Sequence, residues 1–349
     1  MTKDGQIVKT LLLTFLLFVV IEISLQLRAQ LKVGNSIFKS VLAGDNAATE
    51  LFVQHDGYKT LAPSISFTGS SISVQSNALG LRSAEITPKA ATTRVVVLGA
   101  SSTYGAYAAT NADTFPARLQ HSDTSKRLEV INAGIPGNDI AGQYRLYQQQ
   151  LSGLSEDVLI LYSGLSNDIG RLCRNSAQKQ SYALPQLQAP KWLLSVDLLL
   201  KNSTNIRYIP YKANAMPDLT PYLAHYATDV EQLIQLALQR GVKTIFLAEN
   251  LRAFRPQQPL ALQQALADSA LYYTPCLSVA QFSQVFEQYN QVLAEQATKY
   301  ANVHYVTLSD KVQGGRQYFV DSVHFSAKGE QAMAEAFLNE LRIAQQVVP

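Results

Sequence analysis

Residues 95–107, VVVLGASSTYGAY, decide how this 349-residue chain is interpreted. Four apolar residues lead into a turn of small residues that contains two adjacent serines, Ser101 and Ser102. A short apolar run that ends in such a turn is typical of a buried strand that continues into a helix. A serine at this point is either a nucleophile or a cap for the helix, and the stretch taken alone favours capping.

The pattern that begins at this stretch repeats along the chain. The predicted strands are residues 94–98, 128–132, 158–162, 244–248 and 303–307, and the main predicted helices are residues 140–151, 221–240, 281–300 and 327–345. Continuously apolar strands that alternate with helices predict a parallel sheet covered on both faces. The predicted fold is therefore α/β, a three-layer α/β/α sandwich with a five-stranded parallel sheet, and sites are expected at the carboxyl ends of its strands.

The N-terminal segment is apolar enough to enter a membrane. Residues 11–21, LLLTFLLFVVI, are interrupted only by Thr14, and the tolerable window, residues 8–27, spans roughly 30 Å as a helix. We predict a tail at residues 1–9 and a single transmembrane anchor at residues 10–27. A cleaved signal peptide and a buried helix are the alternatives, although no small-x-small cleavage pattern lies near Leu27. The short tail suggests that the large C-terminal part is exported.

Composition limits the possible partners and cofactors. The formal charge is +3 and no stripe of Lys and Arg is present, so a nucleic-acid partner is not expected. In an oxidising compartment Cys173 and Cys276 either pair or remain separate thiols. No Cys/His spacing resembles a zinc site, so no metal and no cofactor is predicted.

The rest of the chain divides into an extension and one main domain. Residues 28–90 are expected to form a juxtamembrane extension that leads into a domain at residues 91–349. Long segments near 171–220 and 251–278 interrupt the alternation of strands and helices. They are either ordinary surface insertions or parts of a pocket or lid.

Residues able to do chemistry follow several of the predicted strands. Ser101 would lie at a helix N-terminus, where unpaired N–H groups favour negative charge. Gly134, in NAGIPGN, would allow close backbone approach, and Asn167, in YSGLSND, offers an amide donor. Asp321 and His324, in DSVHFSAKG, are three residues apart. In a turn this spacing lets the carboxylate hold the imidazole Nδ1–H, which leaves Nε2 free to accept a proton.

In the order of these motifs the sequence resembles the SGNH/GDSL hydrolase superfamily. Its four blocks correspond to GASSTYG at 99–105, NAG at 132–134, SND at 166–168 and DSVH at 321–324. The resemblance covers about residues 94–345 and implies a flavodoxin-like fold, with Ser101 as nucleophile, His324 as base and Asp321 as its partner. It also implies an oxyanion hole made of the Ser101 N–H, the Gly134 N–H and the Asn167 side chain.

The sequence departs from the family pattern at two points. Ala100 replaces the usual Asp of the first block, and two residues rather than one separate Gly164 from Asn167. Upstream, NALGLRSAE at 77–85 is similar to a segment that precedes the catalytic domain in membrane-anchored bacterial members. This likeness implies an exported, anchored enzyme.

Three functions remain open. A serine esterase would hydrolyse O-acetyl or other short acyl groups on envelope or exported glycans. An O-acyltransferase would use the same triad with a sugar hydroxyl in place of water. A non-catalytic binding domain is disfavoured, because Ser101, His324 and Asp321 are all retained. The expected partners are an acylated carbohydrate, the membrane, and a membrane-bound acyltransferase or polysaccharide-export protein.

Overall fold

The computed structural model of the protein describes residues 3–33, 51–69, 71–89, 91–178, 193–196, 198–199, 216–274 and 276–347. The chain forms two compact units. The first comprises Met1–Glu50, Thr68–Ser71 and Ser181–Pro210, and the second comprises Leu51–Phe67, Ile72–Gln180 and Tyr211–Pro349.

The first unit contains one long apolar helix, α1 (Lys3–Val33). Within it, Gly5–Ala29 has a mean hydropathy of 2.3, and it is the one helix in the described parts of the chain that is long and apolar enough to cross a membrane. Its large side chains, such as Leu13 and Phe15, are exposed. By its length and composition this helix is a candidate membrane span.

Part of the predicted insertion at 171–220 also belongs to this unit. The Glu22 carboxylate of α1 accepts hydrogen bonds from the backbone N–H groups of Leu194 and Ser195, at 2.9 and 2.8 Å. Residues 179–192, 197 and 200–215 of that insertion lie outside the described residues.

The second unit is built on the predicted alternation of strands and helices. Its strands are β1 (Phe52–Gln54), β2 (Lys59–Leu61), β3 (Ser66–Thr68), β4 (Ser73–Gln75), β5 (Thr93–Gly99), β6 (Leu128–Gly134), β7 (Val158–Tyr162), β8 (Thr244–Ala248) and β9 (Val303–Val306). Its helices are α2 (Ser101–Tyr104), α3 (Phe115–Ser122), α4 (Ile140–Gln150), α5 (Ser166–Gln178), α6 (Thr220–Gln239), α7 (Leu260–Tyr273), α8 (Val279–Ala297) and α9 (Ala327–Val347).

The central sheet confirms the predicted fold class. Its five strands run in parallel in the order β6-β5-β7-β8-β9. Helix α3 packs against α9, while α4 and α8 pack against α6, so helices flank the sheet. The inner strands β5, β7 and β8 are buried almost throughout, because a sheet covered by helices buries both faces of its central strands.

The register brings three strand ends level with one another. Gly99 of β5 pairs with Gly134 of β6 on one side and with Tyr162 of β7 on the other. In β5, Val95 to Leu98 are completely buried, and each such side chain contributes about 1.5–3 kcal/mol to folding. The loops after β5, β6 and β7 therefore leave a rigid platform at a common edge.

One predicted insertion and the predicted extension both contain regular structure. The segment at 251–278 contains α7, a 14-residue helix. The described part of the extension forms two small two-stranded sheets, β1-β2 and β3-β4. Apart from Thr68–Ser71, residues 51–89 belong to the same compact unit as the central sheet.

A disulfide joins Cys173 of α5 to Cys276, which precedes α8. The two residues are 103 positions apart, and their Cα atoms are separated by 5.4 Å. Closing a loop of this length restricts the unfolded chain and stabilises the native state by about 2–4 kcal/mol in typical proteins. The disulfide therefore joins α5, the helix that contains Asn167, to the segment that leads into α8.

Candidate active site

Helix α2 is a single turn packed tightly onto the ends of the central strands. A Cβ atom on Gly99 would lie 2.1 Å from both Thr103 Oγ1 and Tyr162 O, and one on Gly134 would lie 2.2 Å from Tyr104 N. The Thr103 hydroxyl donates to the carbonyl of Tyr162 at 3.0 Å. Glycine at the ends of β5 and β6 is therefore what allows the short helix to descend onto the sheet and carry Ser101 above it.

Neither serine caps the helix, contrary to the reading favoured by the stretch alone. The N-cap position is Ala100, and no side chain accepts from the first turn. Ser102 is buried, and its hydroxyl donates to the carbonyl of Val323 at 3.1 Å. This bond ties the start of α2 to the loop that carries His324. Ser101 is half-buried and faces that loop's imidazole.

Ser101, His324 and Asp321 form a continuous chain of hydrogen bonds. Ser101 Oγ lies 2.8 Å from His324 Nε2, and His324 Nδ1 lies 2.7 Å from Asp321 Oδ2. Asp321 Oδ1 accepts from the backbone N–H groups of Val323 and His324, both at 2.9 Å. The carboxylate thus holds both the imidazole ring and the backbone of the turn in which that ring stands.

The environment of Asp321 keeps its carboxyl group ionised. Burial acts to raise the pKa of Asp321, but the hydrogen bond and charge of His324 and the two backbone N–H donors outweigh it and lower that pKa to about 2. An ionised Asp321 only accepts hydrogen bonds, so Nδ1 of His324 carries the proton of that bond. Nε2 is then the acceptor that faces the Ser101 hydroxyl.

The Gly134 N–H, predicted as an oxyanion donor, has a hydrogen-bond partner in the structure. It donates to the side-chain Oδ1 of Asn132, two residues earlier in β6, at 3.0 Å. Gly134 instead serves the close approach of α2. The second glycine of the same turn, Gly137, is exposed and has a left-handed φ of 87°.

Three donors remain at this edge of the sheet. Within the described part of the chain, the backbone N–H groups of Ser101 and Gly137 have no hydrogen-bond acceptor. Asn167, in the first turn of α5, donates one Nδ2 hydrogen to the carbonyl of Asn138 at 3.1 Å and retains a second. Gly164, in the turn between β7 and α5, has a left-handed φ of 67°. Leu165, which follows it, is buried, and Asn167 lies in the first turn of α5.

The residue that follows Asn167 in the sequence carries a buried carboxyl group. Asp168 is buried, its Oδ1 accepts the N–H of Ile140 at 3.3 Å, and its Oδ2 has no partner. Burial raises the pKa of Asp168 to about 7, with the nearby Asp229 adding to the effect. Asp168 is therefore mostly uncharged at mildly acidic pH.

Among the described residues no group of His, Cys, Asp and Glu is arranged to hold a metal ion. The hydrogen-bonded chain of Ser101, His324 and Asp321 is complete without one. Chemically, the arrangement joins a hydroxyl group, a base oriented by an ionised carboxylate, and adjacent N–H donors.

The sequence matches the model of the GDSL-like lipase/acylhydrolase family over residues 97–332. No curated protein matches the chain. Among solved structures, an acetylxylan esterase from Geobacillus stearothermophilus is 17% identical, with 73% of this chain and 96% of that chain covered and a TM-score of 0.43. An alpha/beta hydrolase enzyme from the metagenome of Lake Arreo, Spain, is 15% identical, with 72% and 95% covered and a TM-score of 0.42.

The Asp168→Asn substitution is predicted to change how stability depends on pH. The unfolded chain ionises this carboxyl near pH 4, whereas the native state keeps it protonated up to about pH 7. The unfolded state therefore binds fewer protons than the native state in this window, so the carboxyl makes the wild type progressively less stable as pH rises from about 4 to 7. Asparagine does not ionise, so this loss should be absent in the variant.

Urea unfolding between pH 4 and 8 measures the effect. The difference in free energy of unfolding, variant minus wild type, should grow with pH up to about 7 and then level off. Asp268→Asn, at an exposed position on α7, is the matched control. Parallel curves for wild type and Asp168→Asn would contradict the prediction.

Proposed function

The chain belongs to the GDSL-like lipase/acylhydrolase family, and we propose that it is a serine esterase that removes O-acetyl or other short acyl groups from envelope or exported glycans. The observation that carries this proposal is the relay from Ser101 Oγ through His324 to Asp321, with distances of 2.8 and 2.7 Å. A nucleophile, a base and an orienting acid in hydrogen-bond contact are the requirements of acyl transfer through a covalent intermediate.

In the first half of the reaction, Ser101 Oγ attacks the ester carbonyl and passes its proton to His324 Nε2. Asp321 stabilises the imidazolium that forms and itself stays ionised, because its pKa is about 2. The imidazolium then protonates the departing alkoxide and leaves an acyl-serine. In the second half, His324 Nε2 takes a proton from water as the water oxygen attacks the acyl carbon. The bond between that carbon and Ser101 Oγ then breaks, the carboxylic acid leaves, and His324 returns the proton to Oγ.

The negative charge that develops on the carbonyl oxygen needs fixed donors. We assign this role to the Ser101 N–H, the remaining Nδ2 hydrogen of Asn167 and the Gly137 N–H. Gly137 replaces Gly134 because the Gly134 N–H already has an acceptor, whereas that of Gly137 has none among the described residues. Gly137 also precedes Asn138, whose carbonyl holds the Asn167 amide.

We place the catalytic domain on the exported side of a membrane, attached through α1. Helix α1 has the length and composition of a span, and the Cys173–Cys276 disulfide is the kind of bond that persists in an oxidising compartment. Glycans outside the membrane are substrates that such an anchored enzyme meets. A membrane-bound acyltransferase or a polysaccharide-export protein is a partner that fits this position.

Substitution of the relay residues tests the assignment. With the full chain in detergent and p-nitrophenyl acetate as substrate, Ser101→Ala and His324→Ala should each lower kcat by about 10⁴-fold or more, and Asp321→Asn by about 10³- to 10⁴-fold. The losses should not add in a double variant, because the residues act as one unit. Initial rates measure kcat for each variant, and circular dichroism checks that each variant is folded.

Ser102→Ala is the control at the neighbouring position. It removes one neutral hydrogen bond, to Val323 O, so activity should stay within about fivefold of wild type. If Ser101→Ala kept wild-type activity, or Ser102→Ala lost as much as Ser101→Ala, the nucleophile would be wrongly assigned.

The fate of the acyl group distinguishes hydrolysis from transfer. The same acyl-serine would pass its acyl group to a sugar hydroxyl if that hydroxyl took the place of water. Wild type and Ser101→Ala are incubated with an acetylated glycan and an unacetylated acceptor sugar, and free acetate and acetylated acceptor are measured. We expect acetate to dominate; acetylated acceptor in excess of acetate would make the enzyme a transferase.

Protease accessibility tests the location. In a Gram-negative host that expresses the full chain, protease added to spheroplasts should digest the catalytic domain and leave a fragment the size of α1. Thiol alkylation without reductant should leave Cys173 and Cys276 unmodified. A protected domain with two alkylated cysteines would place the domain in the cytoplasm.

A further inference from the structure

An exposed aromatic ring stands beside the base of the relay. The rings of Tyr107 and His324 are 5.6 Å apart between centroids, in an edge-to-face arrangement. Tyr107 is nevertheless 54% exposed, whereas most large aromatic side chains of the second unit are buried in its core. Burial and the neighbouring carboxylate of Asp321 both raise the pKa of Tyr107, so the ring lies against the His324–Asp321 pair and remains uncharged at neutral pH.

The backbone beneath Tyr107 is held by a buried arginine. Arg82 is 1% exposed, and its guanidinium donates to the carbonyl oxygens of Gly105, Ala108 and Tyr104 at 2.6, 3.0 and 3.3 Å. The guanidinium carbon also lies 4.8 Å from the centre of the Tyr104 ring. Carbonyl groups on both sides of Tyr107 are thus fixed by one rigid, charged fork.

The same loop is tied to the nucleophile. The backbone N–H groups of Gly105 and Ala106 both donate to the carbonyl of Ser101 at 3.1 Å. Tyr107 therefore keeps a fixed position relative to Ser101 as well as to His324. A side chain that is exposed but rests on a fixed backbone is preorganised for contact with a ligand.

The chemistry of the relay decides which part of the substrate meets this ring. His324 Nε2 must donate its proton to the departing alcohol oxygen, so that oxygen comes within hydrogen-bond reach of the imidazole. The carbon skeleton bonded to this oxygen then lies within a few ångströms of the His324 ring. Tyr107 is the exposed aromatic ring that contacts His324 in the described part of the chain.

We propose that Tyr107 binds the alcohol part of the ester, and that this part is a sugar ring. A pyranose has a C–H face that stacks on an aromatic ring and a rim of hydroxyl groups that matches the phenolic hydroxyl and the surrounding water. The half-exposed position suits such a ring, since a long alkyl alcohol requires an apolar groove rather than an open face. This inference rests on the proposed esterase function and names the side of the site that selects its glycan substrate.

Two acetate esters that differ only in the alcohol provide the test. The full chain in detergent is assayed on methyl 6-O-acetyl-glucoside and on ethyl acetate, and the ratio of the two kcat/KM values is compared between variants. Tyr107→Ala should lower this ratio about tenfold, mainly through KM for the sugar ester, because one aromatic stacking contact is lost. Tyr107→Phe should restore the ratio, because it keeps the aromatic ring.

The control is Leu262→Ala, which removes an exposed apolar side chain from α7. An unchanged ratio in Tyr107→Ala, or an equal loss on both esters, would overturn the proposal by reducing Tyr107 to a structural role. Octyl acetate is assayed in parallel, and a loss confined to this ester would overturn the proposal by showing that the ring binds an alkyl alcohol instead.

Binding without turnover separates this inference from the proposed function. The affinity of the Ser101→Ala protein for the acetylated glucoside, measured by saturation-transfer NMR titration, should fall about tenfold when Tyr107→Ala is added. If wild type cleaves ethyl acetate but this affinity does not change, only the Tyr107 inference fails. If wild type cleaves neither ester while Tyr107 still governs sugar affinity, the esterase assignment fails and the sugar site stands.

Discussion

The hydrogen bond between Ser101 Oγ and His324 Nε2 joins two residues that are 223 positions apart, and the arrangement of the second unit follows from the need to form it. The parallel sheet brings the ends of its strands to one edge, and the glycines that end β5 and β6 let a one-turn helix pack there without a clash. A second, buried bond from the Ser102 hydroxyl to Val323 O clamps the two segments beside the reactive contact. A shift of about 1 Å between the two segments would break the hydrogen bond from Ser101 to His324. The packing of α2 on the sheet and the Ser102–Val323 bond therefore matter for keeping this geometry, more than for the free energy that each contributes.

The extension upstream of the sheet is part of this support. In NALGLRSAE, the Asn77 side chain accepts from the N–H groups of Leu79 and Leu81, and Glu85 accepts from that of Ala78. Gly80 completes the turn with a left-handed φ of 70°. The compact turn directs Arg82 into the loop after α2, where leaving its carbonyl partners unpaired would cost about 1–3 kcal/mol each. A segment outside the four motif blocks thereby fixes the backbone of the loop that follows Ser101.

The sequence was sufficient for the sheet and for the relay, but not for the details of the turns. Short, mostly apolar runs predicted the five strands of the central sheet, because strands of a sheet covered by helices bury most of their side chains. Two glycines in NAGIPGN were equally able to present an N–H, and only the Asn132 side chain, bonded to the Gly134 N–H, distinguishes them. Likewise, the sequence favoured Ser102 as a helix cap. Its actual hydrogen-bond partner, the carbonyl of Val323, lies 221 residues away and is invisible to a local pattern. Local patterns carry little information about such long-range polar contacts.

Three carboxyl groups of the second unit show how surroundings rather than residue type assign roles. Burial raises the pKa of all three, yet Asp321 ends at about 2, Asp168 at about 7 and Glu330 at about 8. Asp321 gathers two backbone N–H donors and the imidazole, whereas Asp168 and Glu330 each receive one backbone N–H, from Ile140 and Phe115. A carboxylate with several donors keeps its charge, and one with a single donor in the core gives it up. Of these three, only Asp321 contacts His324 and keeps its charge there, so Ala100 in place of the family's usual aspartate leaves that contact unchanged.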